Sequence, residues 1–342
     1  MKITAQNKAS YQRLYAAAEK IKAAAPWDYM RDSYMWAVEH PRTGETNYCI
    51  ILGAIGQVFA FVMYEGEEGY RSYKNLADAG RSGYEFDGLN AMIEQQLVKA
   101  EFVPGAELQK PDKAAYRALG MSVGKDNKYI QIRKMSPGYA GWFLEEKDAD
   151  RAEFLAFAME QSLRLFARVR QEGEEILHDN TGKILTLTEG SNGKPEEKYC
   201  EEPQMSKAKH KANKFLVNKI GKGLHQYDSV LYATVFYLSS MVQEEKDAVP
   251  FYPMMLICME GEGGQVIFSQ IITPDKNNPQ DFDTAIVNLL ETIDGYPRTF
   301  IFNTEKTLKV FAPMCKALEI ELICKPYDEK FGICSEMMRL PM

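Results

Sequence analysis

The sequence holds no Cys-x-x-Cys pair, no two histidines at helical i, i+4 spacing and no long hydrophobic run. Each absence removes a class of function. His40, His178, His210 and His225 are scattered, so no zinc site of ordinary local spacing is expected. The six cysteines are Cys49, Cys200, Cys258, Cys315, Cys324 and Cys334, several inside apolar runs such as Leu256-Ile257-Cys258-Met259. They read as reduced core residues. The longest charge-free apolar stretch, Ser229 to Gln243, contains Thr234, Ser239 and Ser240. It falls short of the roughly 18 residues a membrane span requires. Glu19, Lys20 and Lys22 interrupt the first apolar segment, which therefore forms no secretory h-region. A cytoplasmic protein without a membrane partner is expected. Basic residues are not in excess: 41 Lys and Arg stand against 48 Asp and Glu, a net charge of -7. That balance argues against a surface that clings to nucleic acid everywhere, and any polyanion site must be local. No Gly-x-Ser-x-Gly elbow or catalytic triad is visible.

What is present is an ordinary soluble composition, 45% hydrophobic and 26% charged over 342 residues, long enough for about two domains at roughly 150 residues each. Glu172 to Met205 carries nine acidic and three basic residues, whereas Ser206 to Tyr227 carries six lysines and no acid. The chain is cut there, into a domain over 1–178, an acidic glycine-containing connector over 179–205 and a second domain over 206–342. In the first, the spacing predicts helices over Ser10–Ala25, Gly69–Ala79, Phe86–Ala100 and Asp150–Gln171, with strands at Tyr34–Val38, Asn47–Leu52, Gln57–Tyr64 and Tyr129–Arg133. This is an antiparallel sheet with packed helices. In the second, a lysine helix over Lys207–Lys219 precedes strands Val230–Leu238, Met254–Met259 and Gln265–Ile272. A helix over Phe282–Ile293, a strand at Thr299–Asn303, a helix over Thr304–Leu318 that Pro313 should kink, and a strand at Ile320–Lys325 follow. The β-α-β order implies parallel strands with a right-handed crossover. The fold class is α+β, with a mixed-sheet second domain.

Certain stretches resemble known families. The run from Tyr34-Met35-Trp36-Ala37-Val38-Glu39-His40-Pro41 to Gly44, the Gly53-x-x-Gly56 hairpin, Tyr64 to Gly69 and Pro137 to Phe143 resemble a bacterial domain of unknown function. The second half, with Pro250-Phe251-Tyr252-Pro253, is similar to the domain fused behind it. Met254 to Lys325, above all Gly295 to Asn303, resembles the ribonuclease H-like core of transposases and integrases. That resemblance implies carboxylates at the ends of neighbouring strands, holding two Mg²⁺ or Mn²⁺ ions for phosphoryl displacement. Carried onto this sequence, the first acid is Glu260, the second position is Asn303 and the third lies among Glu305, Asp328, Glu329 and Glu336. Starting the core at Val230 restores its usual three-stranded opening and leaves Asp228 as the first acid, outside the strand. Either way an amide stands where a charge is needed.

The resulting expectation is a binding or regulatory protein without catalysis or cofactor, with a protein partner possible. A divalent-metal nuclease using Glu260, Asn303 and Glu336 is the alternative. A second alternative is nucleic-acid binding through Lys207, Lys211, Lys214 and Lys222, which repeat along one helix face opposite Ala208, Ala212, Phe215 and Leu216. A solvated face is the commoner role of such a ridge. Glu65, Glu67 and Glu68 read as an acidic first helical turn rather than a cation site.

Overall fold

A computed structural model describes residues 3–82, 85–124, 128–190, 195–204, 212–273, 279–326 and 328–332. The chain divides into two compact units. The first comprises Met1–Ser82, Glu94–Pro137 and Gly141–Met205; the second comprises Gly83–Ile93, Gly138–Ala140 and Ser206–Met342.

The first unit opens with α1 (Lys8–Ala24), whose Tyr11, Leu14, Tyr15, Ala18 and Ile21 are buried on one stripe. The strands β1 (Trp36–Glu39), β2 (Thr46–Leu52) and β3 (Ala60–Tyr64) follow. Gly53 at the β2–β3 turn has φ +143°, and a Cβ there would lie 2.6 Å from Cβ of Trp27. The indole in turn packs on Phe59 and Phe102, with ring centroids 5.2 and 5.4 Å away. Next come α2 (Gly66–Ser82), and, within the second unit, α3 (Glu85–Ile93).

The helix expected to run to Ala100 stops at Ile93, and β4 (Leu97–Pro104) begins. Leu97 and Ala100 fit a helical stripe by coincidence. The controlling period is two: Val98, Ala100 and Phe102 enter the main core, while Lys99 and Glu101 pair at 2.5 Å on the other face. A further helix, α4 (Lys110–Ala118), was not expected; Pro111 in its first turn and a Gln109–Asp112 capping box start it. It leads to β5 (Lys128–Met135). The long helix α5 (Ala149–Glu172) packs on α1. Trp36 lies beneath it, donating to Ser162 Oγ at 2.9 Å and meeting Phe61 and Phe166 edge-on.

The stretch 179–205, read from its charge as a connector, contains the hairpin β6 (Ile184–Glu189) and β7 (Pro195–Cys200). Ile184, Leu185 and Leu187 are buried, which fixes β6 in the sheet despite the acidic flanks. The seven strands run β5-β4-β3-β2-β1-β6-β7. Pairing is antiparallel from β5 to β1, as expected, and parallel between β1 and β6 through Ala37↔Thr186 and Val38↔Leu187. A charge network pins the start of α5. Lys134 reaches Asp148 at 2.6 Å, and Arg151 joins Asp148 to Glu65. Burial pushes the Asp148 carboxyl up, but hydrogen bonds from Lys134 and the Glu145 N–H, with the charges of Lys134 and Arg151, bring it below the usual value.

In the second unit, α6 (Lys214–Gly223) precedes β8 (Gln226–Tyr237), β9 (Met254–Glu260) and β10 (Val266–Ile272). Then come α7 (Pro279–Thr292), β11 (Tyr296–Phe302), α8 (Glu305–Ala317) and β12 (Glu321–Cys324). The helix α8 runs unbroken across Pro313. Strand order is β10-β9-β8-β11-β12. The strand β9 is antiparallel to both neighbours, while β8, β11 and β12 are mutually parallel. A three-strand meander followed by two β-α-β crossovers is the ribonuclease H-like arrangement, so this domain has that fold. Its opening strand is β8, consistent with starting the core near Val230.

The helix-covered face buries Leu231, Ala233, Leu256, Phe300 and Phe302 against α7 and α8. The opposite face carries Tyr232, Phe236, Ile257, Met259 and Ile301. The helix α3, though from the first half of the sequence, supplies Ile93 to the helix-covered core, and its Asn90 accepts from Tyr237 N–H at 3.1 Å. A fragment of residues 206–342 alone is therefore expected to be less stable than one with 83–93 linked to it, by about 2–4 kcal/mol. Equal melting temperatures for the two would contradict this role of α3.

Candidate functional site

In this fold, the place where neighbouring parallel strands would hold two acids is set by the β8–β11 register. Phe302 pairs with Ala233, so the next residue, Asn303, stands beside Thr234. Both side chains are on the face carrying Tyr232 and Ile301, since residues two apart share a face. Thr234 Oγ1 donates to Asn303 Oδ1 at 2.8 Å. Thr234 is fully buried and Asn303 is 8% exposed. The amide and hydroxyl answer each other, a neutral pair in a place that would need carboxylate oxygens to hold divalent ions.

Glu260 does not join them. It ends β9 opposite Leu231, three residues along β8 from Thr234 and two strands from Asn303, or about 10 Å in each direction. Its partner Leu231 belongs to the helix-covered face, so Glu260 and Asn303 project from opposite sides of the sheet. Glu336 lies outside the described residues. Asp228 is 87% exposed and faces Arg298 at 3.3 Å. Asp328 reaches the Thr234 face, but there it bonds the Tyr232 hydroxyl and accepts from Lys330 N–H. Among the described residues, no three His, Cys, Asp or Glu side chains are grouped closely enough to hold a metal ion. The donors at this place do not fit the paired divalent ions that the fold would imply.

Comparisons with known proteins give two family matches along the chain. Residues 11–187 fit a family model described as a domain of unknown function, DUF7309. The chain belongs to the DUF7309 family. Residues 217–337 fit a second domain of unknown function, DUF6930. No curated protein matches. Among solved structures, a crystal structure of the Mos1 strand transfer complex is similar at 14% identity and a TM-score of 0.23. The match covers 54% of this chain and 58% of that one, under two thirds of its length.

The lysine ridge lies partly in view. Lys214 and Lys222 are exposed on α6, of which Lys222 falls within the DUF6930 stretch, while Lys207 and Lys211 lie outside the described residues. The apolar face differs from expectation. Phe215 is 75% exposed, and Leu216, Val217 and Ile220 meet the core. Asn213 caps the helix, its Oδ1 accepting from Phe215 N–H, and the first turn leaves Phe215 off the inward stripe. In the DUF7309 region, Glu67 and Glu68 occupy the first turn of α2 and pair with Arg71 at 2.9 and 2.8 Å. Cys49, Cys258 and Cys315 are buried thiols, and burial pushes Cys258 up to about 12.

Sequence reasoning missed Thr234. The available signal was a hydroxyl between Tyr232 and Phe236 on one face of an apolar strand, together with a strand ending in Asn. Neither points to the other until the register is known. Asn303→Asp would bury a carboxyl whose folded pKa is raised by desolvation. Such a group costs nothing while protonated in both states and destabilises once pH rises above its unfolded value near 4. The variant's melting temperature is expected to fall between about pH 4 and 7 relative to the parent, measured by thermal denaturation. A constant difference across that range would show that the carboxyl is solvated.

Proposed function

We propose that this protein is a binding or regulatory module whose ribonuclease H-like domain serves as a scaffold without catalysis. The observation that carries this reading is the buried Thr234–Asn303 hydrogen bond at 2.8 Å. Two-metal phosphoryl transfer needs converging anionic oxygens, with ions about 3.5–4 Å apart, and a self-satisfied amide and hydroxyl offer none. The separation of Glu260 from this pair supports the same reading. Free buried thiols at Cys49, Cys258 and Cys315 support a reducing, cytoplasmic setting. The net charge of -7 favours a protein partner over a polyanion.

The test is cleavage of single- and double-stranded DNA and RNA by the full chain with Mg²⁺ or Mn²⁺. No turnover above that of a Glu260→Gln control is expected. Metal-dependent turnover that this substitution abolishes would establish the nuclease alternative instead.

A further inference from the structure

The β1–β2 hairpin, the end of β3 and the first turns of α5 line a cleft of about 390 Å³ within the first unit, inside the roughly 300–1,000 Å³ range of small-molecule sites. Some of its polar groups are already committed. Arg151 is held by Glu65 and Asp148, and the other Glu65 oxygen accepts from Gln96 Nε2 at 2.8 Å.

Others are available. His40 Nδ1 accepts from the backbone N–H groups of Arg42 and Thr43 at 3.1 and 3.3 Å. The neutral ring proton is thereby placed on Nε2, for which no acceptor occurs among the described residues. Asn47, 4% exposed, accepts from Gly66 N–H at 2.9 Å through Oδ1. This bond fixes the orientation of the amide, and its Nδ2 has no partner among the described residues. Glu45 extends over Gly66, where a Cβ would come within 2.6 Å of Oε1. No cation pairs with its carboxylate among the described residues. Arg42 meets Asp150 at 3.1 Å, but the two side chains are 61% and 83% exposed, and such a pair yields readily to a competing carboxylate. Met63 and Phe154, 1% and 6% exposed, form the apolar floor, where the Phe154 ring lies 4.4 Å from that of His40.

The lining therefore offers hydrogen-bond donors and one exchangeable guanidinium, a separate unpaired carboxylate, and an apolar surface. Its two guanidiniums and three carboxylates nearly balance, which disfavours a multiply charged anion and suits a zwitterion. We propose that the cleft binds a free α-amino acid with an apolar side chain. Its carboxylate is taken by Arg42, His40 Nε2–H and the Asn47 amide, its ammonium by Glu45, and its side chain rests against Met63 and Phe154. This site is independent of the proposed role of the ribonuclease H-like domain.

The experiment is calorimetric titration and thermal shift of the full chain with L-leucine and L-methionine. The one-charge probes are 4-methylpentanoate, which lacks the amine, and 3-methylbutylamine, which lacks the carboxylate. Saturable binding and a raised melting temperature are expected with at least one amino acid, each one-charge probe binding about tenfold or more weakly. Glu45→Gln and Arg42→Ala should weaken binding by about tenfold or more while leaving the free protein's melting temperature nearly unchanged, because both side chains are exposed. The proposal is overturned if neither amino acid binds, if either one-charge probe binds as well, or if Glu45→Gln binds like the parent.

Discussion

The parallel register of β8 and β11 decides which side chains meet at the centre of the second domain's sheet. By pairing Phe302 with Ala233 it sets Asn303 beside Thr234, and the two close a hydrogen bond in a nearly dry place. A buried polar group left unpaired costs about 1–3 kcal/mol, so each residue needs the other. The sheet thus keeps the strand order of a phosphoryl-transfer fold while a neutral structural contact fills the position where charge would converge. A fold does not carry an activity without its site.

The first unit spends charge differently. Asp148 gathers Lys134 and Arg151, and Arg151 continues to Glu65. This chain ties β5, the start of α5 and the end of β3 together. A buried charge persists only when paired, so the network holds the first turns of α5 near the hairpin that bears His40 and Glu45. Arg42 on the rim pairs with exposed Asp150, while among the described residues the Glu45 carboxylate has no cation partner. Rigid elements carrying uncommitted polar groups are the usual basis of a specific site.

Much of the architecture was legible in the sequence. Apolar periodicity located α1, α5, α7 and the strands of the second domain, because long stripes leave little choice of face. It failed where two periods coincide, as at Leu97 and Ala100, and where charge hid a hairpin, as at β6 and β7. The scattered histidines and cysteines carried no local metal motif in the sequence. The Thr234–Asn303 pair was not legible, since its partners are 69 residues apart and only the strand register brings them together. A strand end does not reveal which face a side chain takes, and Glu260 lies on the helix-covered face, opposite to that of Asn303.

The most direct measurement is a double-mutant cycle on unfolding free energy with Thr234→Val, Asn303→Leu and the pair. If the bond is the structural replacement described, each single change costs about 1–3 kcal/mol and the double change costs less than their sum by about 1 kcal/mol. Strict additivity would contradict the account, because it would mean that the two side chains do not depend on each other.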